Sequence, residues 1–169
     1  TGTRNTAVGS ATLDANTTGN DNTGLGQNVL TENTTGTYNT AIGTNCLDAN
    51  TTASANTAVG YAACGANTTG SALAALGYAS LQLNTTGANN TGLGYLALQN
   101  NTTASNGTAV GHGALRYNTT GSENVAVGSN SLDANTTGHY NTATGTYSLG
   151  SNTTGTYNTC IVVSNSISI

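Results

Sequence analysis

The chain has 169 residues, of which 5% are charged, where an ordinary soluble domain carries about a quarter. It contains no Pro, Phe, Trp or Met, so a thick globular core is excluded. With a net charge of -4 and Arg4 and Arg116 as the only basic residues, a phosphate-tracking surface for nucleic acid is excluded too.

Thr1–Arg4 reads as the tail of a repeat, which points to a processed, excised or partial chain. From Asn5 onward a 17-residue unit, N-T-A-V-G-x-x-x-L-x-x-N-T-T-G-x-x, recurs without insertion or deletion through Tyr157. Units begin at Asn5, Asn22, Asn39, Asn56, Leu73, Asn90, Gly107, Asn124, Asn141 and Asn158, and each unit predicts one coil of a stack. The expected fold is all-β: a parallel β-solenoid of about ten 17-residue coils over residues 1–157. At a strand spacing of about 4.8 Å, the rod would be roughly 45–50 Å long.

Within a coil, positions 1 to 5 predict a strand that ends at a glycine corner. Position 5 is Gly in nine units, from Gly9 to Gly145, which suggests a positive φ or a close backbone approach. Position 4 is branched and apolar in nearly every unit, and position 9 is Leu in eight of the first nine units. These two columns are expected to form the core. Position 3 holds only Ala, Gly or Cys. Neighbouring strand positions face opposite sides, so position 3 is expected to press against a second surface. Another chain is the simplest candidate, and the opposite wall of a tight single-chain coil is the rival.

Position 6 is Tyr61, Tyr78 and Tyr95 on three successive coils, followed by His112. This column offers flat aromatic faces to a sugar or stacks on itself as a surface ladder, the simpler reading. Positions 12 to 14 are Asn-Thr-Thr in nine consecutive units, with the asparagines at Asn16, Asn33, Asn50, Asn67, Asn84, Asn101, Asn118, Asn135 and Asn152. Each triplet is an N-glycosylation sequon if the Asn points outward. An inward amide ladder is the alternative and the default. Residues 158–169 lose the repeat pattern and alternate polar with apolar, as terminal strands that cap the stack or begin a further segment.

No catalytic constellation, metal cluster or cofactor motif is legible. His112 and His139 fall at positions 6 and 16, the position-10 carboxylates Asp14, Asp48 and Asp133 are too dispersed for paired acid–base work, and no nucleophile has a base beside it. Arg116 and Asp133 share position 10 on adjacent coils and form a candidate surface ion pair. Cys46, Cys64 and Cys160 lack zinc spacing and read as buried free thiols. No apolar run is long enough to cross a membrane.

The units Asn56–Ala63 and Asn90–Leu98, each followed by N-T-T, resemble the head repeats of YadA-type trimeric autotransporter adhesins and the related repeats of phage-like tail-fibre proteins. The likeness spans Asn5 to about Asn158. It implies a left-handed β-roll, a homotrimer about a common axis, and an extracellular, cell-surface or virion-fibre setting. It also implies a non-enzymatic role as a rigid segment for attachment or presentation, with a cell-surface glycan or protein as partner. The chain departs from that family in having no recognisable anchor, coiled-coil stalk or C-terminal chaperone domain. Two other functions fit the columns: an ice-binding solenoid with Thr ladders, and a subunit of an end-to-end extracellular filament, glycosylated if its sequons point outward.

Overall fold

The computed structural model describes residues 1–162. Ten three-residue strands, from β1 (Thr6–Val8) and β2 (Thr23–Leu25) to β9 (Thr142–Thr144) and β10 (Thr159–Ile161), form one all-parallel sheet in sequence order. Each strand pairs with the equivalent residues 17 positions on, so Thr6 lies beside Thr23 and Thr142 beside Thr159. The fold is a β-solenoid, with no helix among the described residues. β10 still pairs in register with β9, so the ladder runs across residue 158. The expected cap or further segment over residues 163–169 lies outside the described residues.

Outside the strands the backbone also bonds from coil to coil. Leu13 N–H donates to Val29 C=O at 2.9 Å and Ala15 N–H to Thr31 C=O at 3.0 Å, in the forward direction. Asn28 N–H donates back to Ser10 C=O at 3.0 Å. A chain with so few large apolar residues is held by these ladders, because each added coil satisfies the polar backbone of the one before it.

The core reverses one expectation. Position 3 points inward: Ala41, Ala58, Ala109, Ala126 and Ala143 are all 0% exposed. Position 4 points outward, with Val8 54%, Leu25 47% and Leu76 53% exposed. The position-9 leucines do form the core, from Leu30 through Leu132, joined by the small side chains at position 8. The interior between the strand and the opposite wall has room for one large side chain per coil. Leu at position 9 takes it, so the strand's inner face must be small. The packing at Gly24 measures the tightness: a Cβ there would stand 2.6 Å from the Thr12 methyl and 3.3 Å from Val29 Cγ1. These two neighbours are the β-branched residues of the position-8 column, and glycine makes space for them.

Two neighbouring positions, 8 and 9, both face inward because the turn is built from left-handed residues. Leu30, Leu47, Leu81 and Leu132 have φ of 48–52°. Such a backbone costs an L-residue about 1–2 kcal/mol, which burial of the leucine offsets by roughly 1.5–3 kcal/mol. Position 7 is also left-handed, and Asn28, Asn45, Gly113 and Asn130 suit it. Position 5 meets both expectations for its corner: Gly77 has φ +136°, and a Cβ there would lie 2.4 Å from Gly94 O.

Cys46 and Cys64 are buried free thiols. Positions 8 and 9 lie on a turn, so both thiols point into the core; Cys160, on β10, is only partly buried. Burial pushes the Cys46 thiol up to about 12 and the Cys64 thiol also well upward, so neither is a reactive thiolate.

Candidate functional site

The position-12 asparagines line the interior. Asn33, Asn50, Asn67, Asn84, Asn101 and Asn135 are 0% exposed and Asn118 1%. Each Nδ2 from Asn33 to Asn152 donates to the Oδ1 one coil back, at 2.7–3.1 Å, in an unbroken run that begins on Asn16. The same nitrogen donates to the position-15 carbonyl of its own coil, as in Asn67 to Gly70 and Asn84 to Gly87, both at 2.9 Å. A sequon asparagine carries its glycan on this nitrogen. At the seven buried asparagines both N–H bonds are spent inside the rod, and the side chain has no route to solvent while the coil is folded; at the two ends Asn16 donates only to Gly19 O, and Asn16 and Asn152 are partly exposed. The geometry is that of the amide ladder.

A second asparagine column, at position 1, was not singled out by the sequence reading. Asn22 Nδ2 donates to Gly36 O at 2.8 Å, and Asn22 Oδ1 accepts from Asn39 N–H at 3.0 Å. The two columns therefore converge on the position-15 carbonyl. Leu73 and Gly107 interrupt the second column, so Gly87 O is served by Asn84 alone, whereas Gly70 O takes bonds from both Asn67 and Asn56. Recurrence of Asn at position 1 in eight of the ten units is the visible sign of this column.

Outside, the structure stacks the aromatic column. Tyr61 and Tyr78 lie 5.1 Å apart between ring centroids with planes 14° apart, Tyr78 and Tyr95 5.3 Å and 16°, and Tyr95 and His112 5.3 Å and 8°. The three tyrosines are 46–48% exposed. Their inner faces cover one another, so along this run only an end ring or the outer edges can meet a ligand.

The candidate ion pair at position 10 does not form. Arg116 Nε donates to Gln99 Oε1 at 3.1 Å, and its guanidinium lies 5.0 Å from the centre of the Tyr117 ring. Asp133 Oδ1 is buried without a hydrogen-bond partner, and burial raises its carboxyl pKa against the pull of Arg116 and His112. Arg4 and Asp21 instead pair at position 17, with Nε–Oδ1 at 2.5 Å and Nη2–Oδ2 at 2.7 Å. Among the described residues, no cluster of His, Cys, Asp or Glu could hold a metal, and no helix is long and apolar enough to cross a membrane.

The strand's outer face is a regular surface that runs from β1 to β10. Positions 2 and 4 project from it, giving a Thr column beside a column that runs from Val8 to Ile161 and is aliphatic but for Thr144. Thr6, Thr23, Thr57 and Thr142 are exposed in the first column, and Ala74 and Val125 interrupt it. No family model, curated protein or solved structure matches the chain.

Proposed function

We propose that the chain is a rigid segment of an extracellular fibre or adhesin, in which the strand face of one rod packs against copies of itself, three about a common axis. The observation that carries this reading is the bare aliphatic column at position 4. Parallel sheets are ordinarily covered on both faces, and a contiguous apolar surface marks an interaction site. Leu76 at 53% and Ile161 at 65% exposure place large apolar groups in water on a chain that has few to spare. Packing around a shared axis would cover all the strands at once, because the column runs the length of the rod. The resemblance to trimeric adhesin head repeats supports the same arrangement. Sedimentation equilibrium tests it: the expected mass is three times 16.6 kDa, and a monomer at working concentration contradicts the reading.

The outward position-2 threonines favour a second reading, an ice-binding face. Position 2 shares its side with position 4, and that side is the exposed one. Threonines repeat roughly 4.8 Å apart across the coils, beside aliphatic groups two residues along the strand. The position-14 threonines, Thr18 through Thr154, are a further exposed column. A thermal-hysteresis assay with no activity removes this reading.

A further inference from the structure

Past the Gly60 corner, one wall of the rod carries a notch of about 330 Å³ bordered by Asn45, Asp48, Tyr61, Gly65, Gln82 and Leu83. That volume lies at the small end of the ~300–1,000 Å³ usual for small-molecule sites. It exists because the position-10 column, Asp48, Gly65, Gln82 and Gln99, loses its side chain at Gly65. The neighbouring coils then become its walls.

The groups that meet there have bonding capacity left. Gln82 Oε1 accepts from Gln99 Nε2 at 3.1 Å, and Asn45 Oδ1 accepts from Asn28 Nδ2 at 3.1 Å. The two amide nitrogens, Asn45 Nδ2 and Gln82 Nε2, have no partner among the described residues, and neither has the Asp48 carboxylate. Tyr61 is the first ring of its stack, since Thr44 holds position 6 in the coil before it. One ring face lies against Tyr78, and the other looks toward the coil of Asn45 and Asp48. Leu83, 44% exposed, adds an apolar edge.

We propose that this notch binds one neutral pyranose unit of a glycan. A sugar ring has an apolar C–H face and an equator of hydroxyls. The free face of Tyr61 takes the first; the Asp48 carboxylate accepts from hydroxyls, and the Asn45 and Gln82 amides donate to their oxygens. No cation borders the notch to balance Asp48, so an anionic sugar is disfavoured. One chain carries the whole site, and its existence does not depend on how the rods associate.

The test is a titration of ¹⁵N-labelled protein with the methyl glycosides of glucose, galactose, mannose and N-acetylglucosamine. At least one is expected to shift the Gly65 and Ala66 amide signals saturably, with Kd on the order of 1 mM, while methyl glucuronide does not. Gly65→Gln continues the glutamine column of Gln82 and Gln99, fills the notch and should abolish the shifts. Tyr61→Thr copies Thr44 and should weaken binding about tenfold, the equivalent of roughly 1.4 kcal/mol. Absence of a saturable shift with all four neutral glycosides overturns the proposal. So does binding that survives both substitutions, or glucuronide binding as tight as the neutral sugars.

Discussion

The asparagine column at position 12 and the aliphatic column at position 4 run the length of the rod with similar regularity, but only the first is completed by its own chain. Each amide from Asn33 to Asn152 finds its acceptors within the coil stack. Val8, Leu25, Leu76 and Ile161 stay 47–65% exposed. A repeated column thus has two possible causes. Stacking constrains a residue that must bond its own copy one coil away; an outside surface constrains a residue that the coil itself leaves bare.

The largest losses are expected at the amide ladder. Asn84→Ala leaves Gly87 O without its donor and Asn67 Oδ1 without its partner, both in the dry interior. At ~1–3 kcal/mol for each orphaned group, the expected loss is about 3 kcal/mol or more, read as a fall in the urea midpoint. Asn67→Ala should cost less, about 2 kcal/mol, because Gly70 O keeps its bond from Asn56. If the two variants cost the same, the convergence of the two asparagine columns carries no energy. Leu73→Asn sharpens the point by supplying the missing second donor. In a double-mutant cycle, Asn84→Ala should be milder in that background, by about 1 kcal/mol.

Position 4 should behave in the opposite way. Leu76→Thr imitates Thr144, which already stands in the column. A change at an exposed site is expected to alter coil stability by no more than about 0.5 kcal/mol, measured on dilute protein, while weakening self-association. The smallest effect belongs to Asp133. Folding raises its carboxyl pKa by burial, so the folded protein holds the proton more tightly than the unfolded chain. Its contribution is favourable below the ordinary carboxylate pKa of about 3.9 and is lost as pH rises through the raised folded value. Asp133→Asn should therefore gain melting temperature over the parent at neutral pH, and the gain should vanish below about pH 4. An equal gain at both pH values would contradict this origin.

The period, the in-register stack, the glycine corner and the leucine core at position 9 were all legible in the sequence. Each follows from backbone geometry repeating every 17 residues. The two faces of the strand were not. Val8 and Leu25 look like core when apolarity is taken as the mark of burial, but the interior is too thin for them once Leu13 and Leu30 are inside. Smallness at Ala41 and Ala58 was the better sign of the inner face. The left-handed backbone at position 9 left no trace in composition, because leucine itself occupies it; at position 7, Asn28, Asn45 and Gly113 hinted at the turn. The notch at Gly65 was invisible because it arises from one missing side chain among neighbours a whole coil away.

Position 4 is proposed to face other copies of the chain. Sedimentation equilibrium on the parent and on the double substitution Leu76→Asp, Leu93→Asp tests it most directly, with circular dichroism checking that the coil is intact. The expected result is a trimeric parent and a monomeric variant with the same spectrum. A monomeric parent, or a variant that keeps the parent's mass, would contradict the claim.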